Sequence, residues 1–299
     1  MGSTNDTQRS GDTPPWNPIE LEGALRLDPV GPDRYVNPRL GLNMNGNLFG
    51  GQFIANTLSA AMLSCPTRVP RSIQGVFLRP GRAGQTLELI VERAHDGARL
   101  SHRRVQMIQS DRLIFSAQVY LNDAHVLAPP QHQVQARDLA PAPESLADIE
   151  ALSAAVGDRV PERIRQRLLS KKSVQVKPVR GAEGLLSRSP EPRLATWLKP
   201  TVAISSEPLL QYAALAFLSD YWLCWPTRSP HTEGLLDPSN RMHSLDHSMW
   251  FHAAPSVDDW LLYEVESPVA GNGFGFGRGA MFNRDGLLLA SAAQQALLD

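Results

Sequence analysis

Cysteine is nearly missing: 299 residues hold two, Cys65 and Cys224, with neither CxxC spacing nor numbers enough for a disulfide framework. Each sits among apolar neighbours, where cysteine packs as a small hydrophobe, and a reducing compartment, the cytosol, is the expected setting. A surplus of charge is missing too, with 29 Lys and Arg against 30 Asp and Glu and no basic stripe. Without that electrostatic footprint, nucleic acid and anionic membrane drop out as expected partners. No apolar run reaches the ~20 residues that a membrane-spanning helix needs. Residues 1–17 are polar and rich in Pro, Gly and Ser, and read as a disordered start rather than a signal. Gly2 is followed by Asp6 where a myristoylation signal has Ser or Thr, and the final Leu-Leu-Asp is no peroxisomal tripeptide. What is present is a globular composition, 42% hydrophobic, with room for two ordinary domains or one large one and a small molecule or a protein as the expected partner.

One stretch lacks a polar face. Residues 207–221 read as a helix with Pro208 in its first turn, and Leu209, Leu210, Ala213, Ala214, Leu215, Ala216, Phe217 and Leu218 cover it all round. Such a helix cannot lie on a surface and must be wrapped. Asp220, near its end, is then carried toward the core, where a carboxylate needs hydrogen-bond donors or a raised pKa. That makes it a catalytic candidate; a helix-terminal Asp reaching solvent is the alternative.

A second apolar helix spans residues 49–64, with glycines at its start that signal close backbone approach. Strand-like runs follow at 72–78, 87–94, 100–109 and 112–121, the last with Leu113, Phe115, Ala117, Val119 and Leu121 on one face. From 122 to 172 the composition shifts to Pro, Ala and charge, with weak helical patterns at 144–154 and 160–169, as in a crossover linker. The first plan then recurs: strands at 174–179 and 194–199, the helix at 207–221, and strands at 242–252, 260–266, 273–283 and 287–296. The expected organisation is a disordered segment 1–17, a unit 18–125, a linker 126–170 and a unit 171–299 carrying the chemistry. A sheet curled round one apolar helix is the hotdog arrangement, so the expected class is α+β, a tandem hotdog with the sheets joined edge to edge to cover their open edges. The competing layout is an α+β sandwich with both helices on one face.

Chemistry-bearing residues gather late. His243, His247 and His252 invite a metal reading, but zinc needs three or four convergent ligands, and on an unbroken strand 243 and 247 share one face while 252 takes the other. Ser244 and Asp246 fall on that other face. No GxSxG elbow surrounds Ser244, which suits it to hydrogen bonding rather than attack. The run Gly273-Phe-Gly-Phe-Gly-Arg-Gly279 matches no phosphate loop and reads as close packing within a strand. Gln294 lies near the end of the last strand beside small residues.

Several motifs stand in order: Leu48-Phe-Gly-Gly-Gln52, Phe77-Leu-Arg-Pro-Gly81, His95-Asp-Gly97 with Ser101 and Arg103-Arg-Val105, Leu218-Ser-Asp-Tyr221, Leu245-Asp-His-Ser-Met-Trp-Phe-His252, Trp260-Leu-Leu-Tyr263 with Val265-Glu-Ser267, and Leu289-Ala-Ser291 with Gln294. By these motifs the chain, over residues 18 to 299, resembles the acyl-CoA thioesterase II family of double-hotdog proteins. The resemblance implies hydrolysis of acyl-CoA to free fatty acid and CoA by a water positioned by an Asp, a Thr or Ser, and a Gln, which fall on Asp220, Ser244 and Gln294. With that set complete and no cluster of ligands in the sequence, no metal and no cofactor are expected. Arg79, Arg103 and Arg278 are candidates for the CoA phosphates, and a homo-oligomer is the expected assembly. The chain departs from the family at Arg71 and Gln74, where histidines are usual, at Gln295 in place of Glu, and at Pro268 and Val269, where small hydroxylated residues are common. These positions bear on acyl-chain preference. Two other readings stand beside hydrolysis: a hotdog enoyl-CoA hydratase pairing Asp220 with His247, and a noncatalytic acyl-CoA binding protein.

Overall fold

The computed structural model describes residues 20–41, 47–82, 84–123, 132–136, 140–151, 173–181, 187–234 and 241–298. The first half runs α1 (Leu21–Leu25), β1 (Asp28–Gly31), β2 (Arg34–Asn37), α2 (Gly50–Leu63), β3 (Arg68–Phe77), β4 (Leu87–Asp96), β5 (Leu100–Gln109) and β6 (Arg112–Asp123). The second runs β7 (Val174–Pro178), β8 (Arg193–Pro200), α3 (Pro208–Leu218), β9 (Met242–Ser244), β10 (Asp246–Phe251), β11 (Leu261–Gly271), β12 (Phe274–Phe282) and β13 (Leu288–Leu298).

These strands form one 13-stranded antiparallel sheet in the order β1-β2-β4-β5-β6-β3-β10-β13-β12-β11-β8-β7, with β9 also on β13. Read inward from each end, the halves share one order, β1-β2-β4-β5-β6-β3 and β7-β8-β11-β12-β13-β10. The plan seen in the sequence is therefore duplicated in space. The halves join where β3 pairs with β10, from Asp246 opposite Val76 to Trp250 opposite Ser72. That pairing uses hydrogen-bonding edges that would otherwise lie open.

The sheet curls round α2 and α3, which pack against each other. Every residue from Leu210 to Leu218 is buried, as are those from Gly51 to Met62, and one hydrophobic core runs through both halves. Each fully buried leucine of α3 contributes about 2 kcal/mol from area removed from water. On α3, Gln211 donates to the Ile204 and Ser205 carbonyls and accepts the Val257 N–H, so its amide is buried fully paired. Helices covered on all sides exclude the sandwich with an open helical face.

The helices can approach because Gly51 has no side chain: a Cβ there would lie 2.3 Å from the Phe217 carbonyl oxygen, which belongs to backbone and cannot swing aside. Gly51→Ala must push α2 and α3 apart. It is expected to cost on the order of 1–3 kcal/mol, the usual scale of overpacking, read as a lowered midpoint in urea with unchanged slope. A variant as stable as the parent would show that this contact has slack.

Two expectations need correction. Helix α3 ends at Leu218 rather than at 221, and Ser219 and Asp220 form a turn before Trp222, whose φ is 62°. The strand expected over 242–252 is also two strands. Ser244 pairs with Ala296 and Ser248 with Ala293, so four steps on one side match three on the other and one residue bulges at Leu245. The bulge is pinned by the Asp246 carboxylate, which accepts the Gln295 N–H at 2.8 Å, and by the Leu245 N–H donating to the Gln295 carbonyl. The extra residue turns Ser244 onto the inner face, with Ala296, Gln294 and His247, and parts it from Asp246. His243 and His247 consequently do not share a face: His243 is exposed and His247 fully buried.

Close packing of the glycine-rich strand is observed. Cβ atoms at Gly275 and Gly277 would collide with Thr227 and with the Leu223 carbonyl, so β12 lies tight against the turn that follows α3. The pattern at 160–169 lies outside the described residues, and that at 144–154 yields the 3-10 turn Pro143–Ser145 and a helical start at 149–151. Described parts of the connection lie against the outside of the second half. There Trp197 donates to the Pro141 carbonyl and Lys177 to that of Pro143.

Candidate active site

Asp220 sits where the halves meet. The turn after α3 carries it to the start of α2, where the Gly51 N–H donates to its carboxylate and a Cβ on Gly50 would stand 2.7 Å from Oδ2. The carboxylate thus lies at the positive end of a helix from the other half. From β13, Gln294 Nε2 donates to Oδ1 at 3.3 Å. Burial pushes the Asp220 pKa up to about 7, and the Gln294 and Gly51 donors only partly offset it. The solvent-exposed alternative is excluded, since the side chain is one-tenth accessible.

His247 is the residue that pattern reading undervalued. Its Nδ1 lies 3.8 Å from Asp220 Oδ1, and its Nε2 2.9 Å from the Ser219 hydroxyl. Burial pushes its pKa down to about 4, offset in part by Gln294, so the ring is neutral. Ser219 also donates to the Ala216 carbonyl, and its own carbonyl accepts the Tyr263 hydroxyl at 2.7 Å. The sequence offers His247 as a metal-ligand candidate and as a partner of Asp220 in a hydratase role; the bulge that aims it leaves no sign. The aromatic rings of Phe49, Phe217 and Tyr221 pack edge to face beside the site.

Of the three residues taken from the resemblance, Asp220 and Gln294 are in contact. Ser244 faces the same side through the bulge and makes no hydrogen bond to either. The three histidines go three ways: His243 to the surface, His247 to Asp220, and His252 to the Ser291 hydroxyl at 2.9 Å.

The arginine candidates separate as well. Arg103 does not wait at the surface for a phosphate. It is 1% exposed, with its guanidinium committed to Ser64 Oγ, the Asp96 carboxylate and the His95 and His102 carbonyls at the far end of α2. A buried guanidinium persists only when so paired. Arg278 is exposed but bound to Glu266 through two nitrogens. Arg79 is exposed and gives one N–H to the Leu113 carbonyl. It stands two residues from Phe77, whose ring lies against Gly50 at the site. The motifs around it are stitched together by Leu48 N–H donating to the Gly81 carbonyl.

Family models for the acyl-CoA thioesterase N-terminal domain and C-terminal domain match residues 39–121 and 132–298. The chain is 30% identical to mouse acyl-coenzyme A thioesterase 8, covering 94% of this chain and 89% of that one. It is 27% identical to acyl-CoA thioesterase 2 of Haemophilus influenzae, covering 84% and 87%. Among solved structures, an acyl-CoA thioesterase II from Mycobacterium marinum superposes with a TM-score of 0.72 at 27% identity, covering 93% of this chain and 98% of that one. A protein from Alicyclobacillus acidocaldarius described as having a hot dog fold gives 0.73 at 18%, covering 93% and 97%, and speaks for the fold alone. Fold, site and likeness define a double-hotdog hydrolase of thioesters. More narrowly, the chain belongs to the acyl-CoA thioesterase II family.

Proposed function

We propose that the chain hydrolyses acyl-CoA to a free fatty acid and CoA using one water, with Asp220 as general base and Gln294 and Ser244 orienting base and water. The observation that carries this is the buried Asp220 carboxylate held between the Gly51 N–H and the Gln294 amide. A thioester suits so sparse a site. The thiolate leaving group has a conjugate pKa near ~8.5, so the proton that Asp220 takes from water, at a carboxyl titrating near 7, passes downhill to the departing sulfur. The water oxygen bonds to the carbonyl carbon, the C–S bond breaks, and one carboxylate serves both transfers. The inward face of Ser244 supports its part, and the exposure of Arg79 beside Phe77 supports it as a contact for CoA phosphate. The shared strand order supports units 18–125 and 171–299 with 126–170 between them.

The approach of His247 to Asp220 favours a second reading, addition of water to an enoyl thioester. Product analysis separates the two. Thiol release measured across acyl-CoAs of increasing length is expected to give free CoA, and a 3-hydroxyacyl-CoA formed from an enoyl-CoA would favour the hydratase. Saturable binding with no product would leave a binding protein.

Hydrolysis is expected to proceed without added metal, because the proposed route uses only Asp220 and water. Incubation with a chelator should leave the initial rate unchanged. Abolition by chelator with rescue by zinc would overturn the route.

A further inference from the structure

His247 is tied down on one side only. Its Nε2 meets Ser219 Oγ at 2.9 Å, and the single hydrogen of that hydroxyl is already directed at the Ala216 carbonyl, 2.8 Å away. Ser219 Oγ therefore accepts, and the imidazole carries its hydrogen on Nε2. Nδ1 is left with a lone pair. It is fully buried, with no hydrogen-bond partner. Asp220 Oδ1 lies 3.8 Å off, and Gln294, whose amide also acts on the His247 ring, has an N–H engaged with that same oxygen. Oδ1 has the Gln294 N–H, whereas Nδ1 has no donor, and a buried acceptor left unmet costs free energy unless something donates to it.

We propose that the hydrolytic water is that donor and that His247 holds it, with one O–H directed to Asp220 Oδ1 and the other to His247 Nδ1. Acceptors 3.8 Å apart can both be reached by one water at ~2.8 Å from each. With both hydrogens engaged, the water oxygen keeps its two lone pairs, one of them for the thioester carbon, and the rotation that a singly held water would keep is removed. The proton balance is that of the route above. The Asp220-bound hydrogen transfers to the carboxylate and then to the leaving sulfur, while the second stays on oxygen until the acid product forms. His247 changes neither charge nor tautomer. The Tyr263 hydroxyl on the Ser219 carbonyl and the Ser219 hydroxyl on Nε2 fix the plane of the ring. This inference rests on the hydrolytic reading with Asp220 as base.

Two substitutions in the full chain separate holding the water from merely holding Ser219. His247→Gln keeps an N–H where Nε2 stood and removes the acceptor at the Nδ1 place. His247→Asn keeps an acceptor near the Nδ1 place and gives up the bond to Ser219. In thiol release from an acyl-CoA, His247→Gln is expected to lose ~30-fold or more in kcat with KM within about twofold and near-parental melting, the signature of lost positioning. His247→Asn is expected to melt lower yet keep kcat within about fivefold of the parent. Parental kcat in His247→Gln, or a His247→Asn variant as slow as His247→Gln, overturns the proposal and leaves His247 as a prop for Ser219. Asp220→Asn assayed alongside reports on the base: full activity there sinks the hydrolytic arrangement as a whole, whereas loss there with an unimpaired His247→Gln sinks only the part given to His247.

Discussion

Asp220→Asn is expected to cut turnover ~10²-fold or more with the fold retained, because it keeps the shape of the side chain while removing the general base. The raised pKa of Asp220, about 7, adds a signature in the parent. Below pH 7 the carboxyl is protonated and cannot accept from water, so kcat/KM should climb with pH and level off above 7, and that limb should vanish from the residual activity of the variant. Stability should move the other way. A carboxyl that titrates near 3.8 in the unfolded chain and near 7 when folded keeps its proton longer in the native state, so the native state binds more protons between those values. Parental stability then falls as pH rises through that window. Asp220→Asn escapes the penalty and should gain on the order of a few kcal/mol at pH 8 relative to the parent, with no such gain at pH 4. Turnover at the parental rate, or a variant equally destabilised at both pH values, would remove Asp220 from the mechanism.

Gln294→Glu is the second large effect. Gln294 reaches Asp220 Oδ1 with an N–H that a carboxylate lacks, and the change places two buried carboxyl groups side by side, so that one of them binds its proton far more tightly. Activity at neutral pH is expected to fall ~10²-fold, with the acid limb of the profile moved to higher pH. Gln294→Ala removes the donor without adding charge and should lose less. Both variants need a melting curve and an acyl-CoA binding measurement to show that the site is still built. If both fold, bind and hydrolyse as the parent does, Gln294 serves packing between β12 and β13 and nothing more.

Most of the framework was open to pattern reading because it rests on periodicity. Residues 209–218, apolar on every side, could only be a wrapped helix, and the alternation in 112–121 appears as β6 with Phe115, Ala117, Val119 and Leu121 buried. Asp220 was legible as the one carboxylate such a helix carries inward. The bulge at Leu245 was not legible, since nothing in Ser-Leu-Asp-His announces that Asp246 will take over a backbone bond, and every facing downstream depends on it. For that reason strand alternation puts Ser244 and His247 on opposite sides, whereas both look inward. Arg103 failed differently. Its charge suggested a surface role, and only the fold shows Ser64, Asp96 and two carbonyls gathered to receive it.

The two central helices end alike, in Leu63-Ser64 and Leu218-Ser219, and each serine hydroxyl bonds back to the carbonyl three residues earlier. Beyond that they diverge: Ser64 receives Arg103 and is followed by Cys65, whereas Ser219 receives His247 and is followed by Asp220. In an assembly of two identical short chains, any change at one helix end is copied at the other. Joining the halves through β3 and β10 in a single polypeptide frees them to vary independently. One end can then do without a carboxylate and hold a buried guanidinium network that braces the fold, while the other keeps a buried carboxyl of raised pKa for chemistry. The tether also makes the meeting of Gly51 with Asp220 unimolecular, so activity per chain should not fall on dilution as it would for halves that must find each other.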